Sequence, residues 1–267
     1  MIFETHAHYD DEKFDTDRDE VLSGLCAQNI GTVINVGANM RGSAKSLTLA
    51  HKWDFVYAAV GTHPDDADKM TDKDYERLRD MACDSRCVAI GEIGLDYAGE
   101  CVDVSIQKEC FIRQLKIAFD MNKPVIIHSR DAAQDTFDIL TEYHKLLKDN
   151  IDTHKDLYEC PGVIHCFSYE KELAREYIKM GFYIGVGGVC TFKNGRKLKE
   201  VVTDIPLTSI LLETDSPYLS PEPFRGKRND SGKLKYVVAE IAALKNTDIE
   251  IVENVTFENA KRMYRLK

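Results

Sequence analysis

Two histidines flank a single alanine near the start of the chain, His6-Ala7-His8. Residues two apart in an extended segment point to the same side, so both imidazoles face one volume. Converging imidazoles hold a divalent cation when a carboxylate completes the shell. Residues of the same chemistry recur at long intervals: His63, Glu92, His128, His165 and Asp215. Four histidines (His6, His8, His128, His165) with Glu92 and Asp215 exceed the needs of one tetrahedral ion, which favours two metals sharing a carboxylate. Two ions roughly 3.5–4 Å apart can activate a water and stabilise the leaving oxygen of a phosphoester. Glu92 suits the bridge, because its strand lies between those that supply the two histidine sets. Asp215 can be both a ligand and the base for the attacking water. Imidazole-rich sites suit Zn²⁺ or Mn²⁺, whereas Mg²⁺ prefers oxygen.

These residues meet only if the backbone delivers them to one place. Short apolar, β-branched runs read as strands at Ile2–Thr5, Thr32–Val36, Phe55–Val60, Val88–Ile90, Val125–Ile127, Val163–Ile164, Phe182–Val186 and Ile210–Leu212. Between them amphipathic runs read as helices, among them Arg18–Gln28, Asp74–Asp84, Ser105–Met121, Asp131–Leu147, Glu170–Met180 and Lys193–Val202. Strands recur roughly every 20 to 40 residues, the interval a βαβ unit needs. Eight such units predict an α/β fold, a (β/α)8 TIM barrel in one domain over 1–267, with a doubly wound open sheet as the alternative. Two helical runs after the last strand, Gly232–Lys245 and Asp248–Arg265, are expected to pack outside, and polar Lys148–Cys160 reads as a loop insertion. Each candidate ligand then follows a strand, and in a parallel barrel all those ends open on one face.

Composition narrows the class. With 43% hydrophobic and 30% charged residues the chain is an ordinary globular protein, not a coiled coil or a disordered one. A net charge of −10 disfavours non-specific coating of nucleic acid and predicts weak, salt-sensitive binding of any strand. The eight cysteines form no CxxC pair, and Met1-Ile-Phe-Glu-Thr-His lacks the pattern of a signal peptide. The longest charge-free run is too polar to span a bilayer. The expectation is a reduced, cytoplasmic protein. His51, His144 and His154 read as surface residues, Asp131 as a helix N-cap, and Cys166 as a buried spacer turned away from His165.

The motifs, taken in order, are Glu4-Thr-His-Ala-His8, Gly61-Thr-His-Pro64, Gly91-Glu-Ile-Gly-Leu-Asp-Tyr97, Lys123-Pro-Val-Ile-Ile-His-Ser-Arg130, His165-Cys-Phe-Ser168, Leu212-Glu-Thr-Asp-Ser-Pro-Tyr218 and Arg225-Gly-Lys-Arg-Asn229. In this order and spacing the sequence resembles the TatD family of metal-dependent deoxyribonucleases, within the amidohydrolase-like metal barrels. The resemblance implies two divalent ions, Mg, Mn or Zn. One would be held by His6, His8, Glu92 and Asp215 and the other by Glu92, His128 and His165, with His63 near the scissile phosphate. It implies hydrolysis of DNA, often 3′-to-5′ from single-stranded ends, with RNA or damaged ends as further substrates. The chain departs from the family pattern at Glu4, where Asp is usual, at Tyr169, where Gly is common, and at Ser231, where Pro is usual.

Substrate contacts follow from charge. Arg130 lies just past strand five and Arg225, Lys227 and Arg228 just past strand eight, where guanidinium forks suit phosphate oxygens. Tyr97, Tyr218 and Phe224 are rim aromatics able to stack on a base.

Two other readings stand beside the nuclease. An amidohydrolase or deaminase would cleave a small cyclic amide or nucleoside C–N bond. Binuclear members of that group often bridge their ions with a carbamylated lysine, but here Glu92 takes the bridging position and Lys123 precedes strand five. A non-catalytic metal-bound scaffold is the third, and it has no need of a complete ligand and base set.

Overall fold

The computed structural model describes residues 1–266. Eight strands form one parallel sheet in sequential order: β1 (Ile2–Ala7), β2 (Ile30–Val36), β3 (Val56–Val60), β4 (Cys87–Asp96), β5 (Val125–Arg130), β6 (Gly162–Ile164), β7 (Tyr183–Val186) and β8 (Ile210–Leu212). Ten α-helices accompany them: α1 (Arg18–Gly24), α2 (Met40–Lys52), α3 (Asp72–Ala82), α4 (Val104–Asp120), α5 (Ala133–Asp149), α6 (Ile151–Glu159), α7 (Lys171–Lys179), α8 (Arg196–Asp204), α9 (Leu234–Lys245) and α10 (Ile249–Tyr264). The sheet curls into a (β/α)8 barrel, and each expected strand is present. Among the described residues no helix is long and apolar enough to cross a membrane, and all eight cysteines are free thiols.

Local chemistry starts the helices where the strands release the chain. Asn39 caps α2 by accepting from the Gly42 N–H, Asp103 caps α4 through the Ser105 N–H, and Thr71 and Asp74 form a capping box at α3. The fourth strand runs well past its apolar core, because Gly91 and Gly94 let it lie hard against its neighbours. A Cβ on Gly94, whose φ is +148°, would collide with the His128 carbonyl oxygen across the β4–β5 pair. That close approach sets Gly94 beside His128 and Asp96 beside Arg130 in register.

Two apolar clusters fill the molecule. One lies between strands and helices. The other gathers Phe3, Ile34, Ala59, Ala89, Ile126, Val163 and Leu211. Ile126 and Val163 share strand parity with His128 and His165, so this cluster lines the barrel axis beneath the histidines.

Three expectations are corrected. The stretch Lys148–Cys160 is not a loop: it holds α6, kinked at His154 (φ −126°), whose ring stacks on Phe119 and bonds its carbonyl oxygen at 3.0 Å. Of the two terminal helices, α9 packs outside against α8, but α10 sends Ala260, Met263 and Tyr264 into the axial cluster. Tyr264 stacks on Phe3 and donates to the Thr5 carbonyl oxygen, so α10 plugs the end opposite the histidines. Asp131 caps no helix: it has φ +54°, and Ala132 occupies the cap position of α5 without a side-chain bond.

Candidate metal centre

His6 and His8 project from the end of β1 toward the axis, with their Nε2 atoms 3.1 Å apart. The His8 Nδ1 lies 2.8 Å from the Val36 carbonyl oxygen, which can only accept, so the proton sits on Nδ1 and Nε2 offers a lone pair. His165 is oriented the same way. Its Nδ1 donates to Glu213 Oε2 at 3.0 Å, and its ring stacks on His6 at 3.5 Å between centroids. Glu92 Oε2 stands 3.5 Å from His6 Nε2 and 3.7 Å from His8 Nε2. Asp215 Oδ1 stands 3.3 Å from His8 Nε2, 3.9 Å from His6 Nε2 and 3.8 Å from His165 Nε2.

These separations fit a shared cation. Two ligands bonded at about 2.1 Å to a tetrahedral ion lie about 3.4 Å apart. The His6 Nδ1 is buried with no hydrogen-bond partner, so His6 is held by its surroundings and not by a bond of its own. Imidazole lone pairs aimed at one volume beside two carboxylates form the donor set of a divalent metal.

Electrostatics keeps Glu92, Asp215 and His6 in the state a metal requires, while His8 also holds a proton on Nε2 that an arriving cation must displace. Burial pushes Glu92 up, but His6 and His128 outweigh it and hold the carboxyl well below its ordinary value. Burial likewise opposes ionisation of Asp215, and His8 and His165 reverse it. His6 is lowered to about 4 by burial and by His165. Burial also works against the protonated form of His8, yet Asp215 and Glu92 carry it up to about 10.

The remaining candidates divide. His128 Nδ1 meets Glu92 Oε1 at 2.8 Å and its Nε2 meets Asp96 Oδ2 at 3.0 Å, so both nitrogens face carboxylates. His63 packs edge-on against His128 at 4.2 Å, with its Nε2 4.0 Å from Glu92 Oε1. Glu92 thus joins two groups, His6 with His165 and His63 with His128. His128 and His165, expected on one ion, reach Glu92 Oε1 at 2.8 and 3.9 Å.

A cavity of about 590 Å³ opens over these groups and is lined by His8, His63, Glu92, His128, Arg130, His165, Asp215 and Tyr218. Arg130 is exposed on its wall. The other basic candidates are not on that wall. Arg228 forks onto Asp17 and donates to the Lys13 carbonyl oxygen. Arg225 lies over the Phe192 ring and bonds Asn194 Oδ1, and Lys227 sits near Phe224. Of the rim aromatics Tyr218 lines the cavity, while the Tyr97 hydroxyl is tied to Asp135 and Phe224 packs on Tyr236.

Cys166 does not face away from His165: with φ +46° the chain turns left-handed after β6 and brings the thiol to the cavity wall. Two residues here escaped the sequence reading. Asp96 and Glu213 carry His128 and His165, the acceptor role that orients metal-ligating imidazoles. Strand period was the available signal, since Glu92 and Asp96, like Glu213 and Asp215, are separated by even steps.

Comparison with known proteins identifies the family. The family profile described as TatD related DNase matches residues 3–265. The "Uncharacterized metal-dependent hydrolase YabD" of Bacillus subtilis (strain 168) is 41% identical over 100% of both chains. The "3'-5' ssDNA/RNA exonuclease TatD" of Cronobacter sakazakii is 30% identical over 98% of this chain and 97% of its own. The crystal structure of YJJV, a TatD homolog from Escherichia coli K12, superposes with a TM-score of 0.90 at 28% identity, covering 100% of this chain and 98% of that one. A profile matched nearly end to end, and a relative this similar over its full length, establish that the chain belongs to the TatD family of metal-dependent hydrolases.

Proposed function

We propose that residues 1–267 act as one hydrolase barrel that cleaves phosphodiesters at nucleic-acid ends, as a 3′-to-5′ exonuclease on single-stranded DNA, with RNA as a second substrate. The observation that carries this reading is the convergence of His6, His8 and His165 Nε2 on the Glu92 and Asp215 carboxylates beneath an open cleft. The named activity of the Cronobacter relative supports the choice of substrate.

His6, His8, Glu92 and Asp215 would hold one divalent ion, and Glu92, His128 and His165 a second. Bound there, such ions supply positive charge to the phosphate and acidify water. The protein does the rest. Asp215, kept ionised among histidines, accepts the proton of the attacking water. His63 and Arg130 stand at the cleft wall to hold non-bridging phosphate oxygens. The new P–O bond forms as the bond from phosphorus to O3′ of the preceding nucleotide breaks. That O3′ takes a proton, and the terminal nucleotide departs with its 5′-phosphate.

Lys123 lies at the far end of β5, its Nζ bonded to the Cys87 carbonyl oxygen at 2.6 Å, so it cannot bridge ions in the manner of carbamylated-lysine amidohydrolases. The test is a gel assay of 5′-labelled single-stranded DNA with Mg²⁺, Mn²⁺ and Zn²⁺ supplied separately. A metal-dependent ladder shortening from the 3′ end, absent in Glu92→Ala and Asp215→Asn, is expected. An intact strand under every metal overturns the nuclease reading and points to a small-molecule substrate.

A further inference from the structure

Beside the central cleft, and sharing Cys166, Ser168, Val189, Asp215 and Leu219 with it, lies a smaller cavity of about 150 Å³. It is built by the loop after β7, the end of β6 and the end of β8. Val189, Leu198 and Leu219 supply apolar walls. Of the charged groups that line it, Glu213 is spent on His165 Nδ1 and on the Cys166 N–H and Lys197 pairs with Glu170 at 2.9 Å, which leaves Asp215 at the side shared with the cleft. The loop is set tightly: a Cβ on Gly195 would collide with the Val189 carbonyl oxygen, and one on Gly187 would stand 3.0 Å from that of Glu213. Arg225 braces the same loop from outside, over Phe192 and on Asn194 Oδ1 at 3.3 Å. Asn194 and Ser168 both line the cavity and are its uncharged polar side chains nearest the loop after β7 and the end of β6.

Resting on the nucleic-acid reading, we propose that this cavity receives the terminal nucleobase of the substrate strand. Drug-sized sites start at about 300 Å³, so half that volume suits a single flat ring system and not a whole nucleotide. Val189, Leu198 and Leu219 offer aliphatic surface to the faces of a ring, and Asn194 and Ser168 offer polar groups that both donate and accept and so demand no one base. The position beside Asp215 matters most. A base seated here lies beside Asp215 with its own 5′-phosphate toward the carboxylate, and a volume that takes one ring system has no room for a second nucleotide. The cavity therefore selects ends. Arg225, expected from the sequence to touch phosphate, becomes a positioning residue for the pocket wall.

The test separates binding from turnover. In Glu92→Ala protein, with Asp215→Asn as a second inactive background, 5′-fluorescein oligonucleotides carrying 2-aminopurine at the 3′ terminus or five nucleotides inward are titrated. Anisotropy reports binding of the strand. The terminal probe is expected to change its emission on saturation and the internal probe to stay as in free DNA. In active enzyme, kcat/KM for a 3′-terminal nucleotide should exceed that for a 3′-terminal abasic residue by about tenfold. Val189→Phe should collapse this ratio toward one, and Asn194→Ala, at an exposed position, should reduce it if the first variant fails to fold. A strand that is bound and shortened with no preference for a terminal base overturns the pocket and leaves the nuclease reading standing. A strand neither bound nor shortened overturns that reading and the pocket with it.

Discussion

The backbone N–H of Asp215 donates to the carbonyl oxygen of His6 at 2.9 Å, across the seam where the last strand meets the first. The seam has few other ties. His8 N–H donates to the Ser216 carbonyl oxygen, Thr5 Oγ1 donates to that of Leu212, and one bridge joins Ala7 to Ser216. Glu4 adds side-chain bonds, accepting from the Thr214 N–H at 2.9 Å, the Thr214 hydroxyl at 2.6 Å and the His6 N–H at 3.1 Å. The contacts that close the barrel are thus the contacts that bring His6 and His8 to Asp215.

Thr214→Val keeps the shape of the seam and removes one donor. It removes the 2.6 Å bond to a fully buried Glu4 oxygen and strips the Ser216 N–H of its Thr214 Oγ1 acceptor. The expected loss is about 2 kcal/mol of unfolding free energy, read from urea denaturation. A variant as stable as the parent would show that the seam does not depend on this bond.

Glu4 also predicts a pH dependence. Burial raises its carboxyl from 4.5 to about 7, against the lowering effect of hydrogen bonds from Thr214 and His6. The native state therefore prefers the protonated acid. The associated stability is fully present below pH 4.5 and is lost as pH rises through about 7. In chelator-treated protein this group removes about 3 kcal/mol between acid and mildly alkaline pH. Glu4→Gln, which cannot ionise, should lack that decline when urea midpoints are compared at pH 5 and pH 8. Parallel profiles for the two proteins would contradict the assignment.

The barrel was legible because six of the eight β-branched runs are followed by a residue that stands out chemically, so strand count and rim were read together. Other features left weaker traces. In α6 a kink at His154 breaks the helix and Leu157 alone is buried, so a short polar stretch read as a loop. Glycines at 91 and 94 hid the length of β4, though backbone proximity to β5 requires them. The left-handed turn at Cys166 reverses the side assigned by strict alternation. Charge placement misled at Arg228, since nothing local shows that the loop folds back onto Asp17.

Glu213 and Asp96 should govern metal affinity without touching the ion. Each accepts from an imidazole nitrogen of a candidate ligand, fixing ring orientation and raising basicity. Glu213→Gln and Asp96→Asn are near-isosteric and remove only charge. Each is expected to weaken Zn²⁺ or Mn²⁺ binding by roughly 10- to 100-fold in competition with a chromophoric chelator. Unchanged affinity in both would reduce these carboxylates to structural roles.

The last helix offers the sharpest structural test. Met263 is fully buried in the axial cluster with Phe3, Ile126 and Leu211. Had α10 packed outside, truncating Met263 would be mild. As a plug it should cost about 2–5 kcal/mol, because the rigid barrel wall cannot collapse into the void. Tyr264→Phe, which removes only the bond to the Thr5 carbonyl oxygen, should cost about 1 kcal/mol. The two losses are read from urea denaturation with metal removed, so that ion binding does not mask them. A Met263→Ala loss no larger than that of Tyr264→Phe would mean that the barrel axis is closed by its own strands and not by α10.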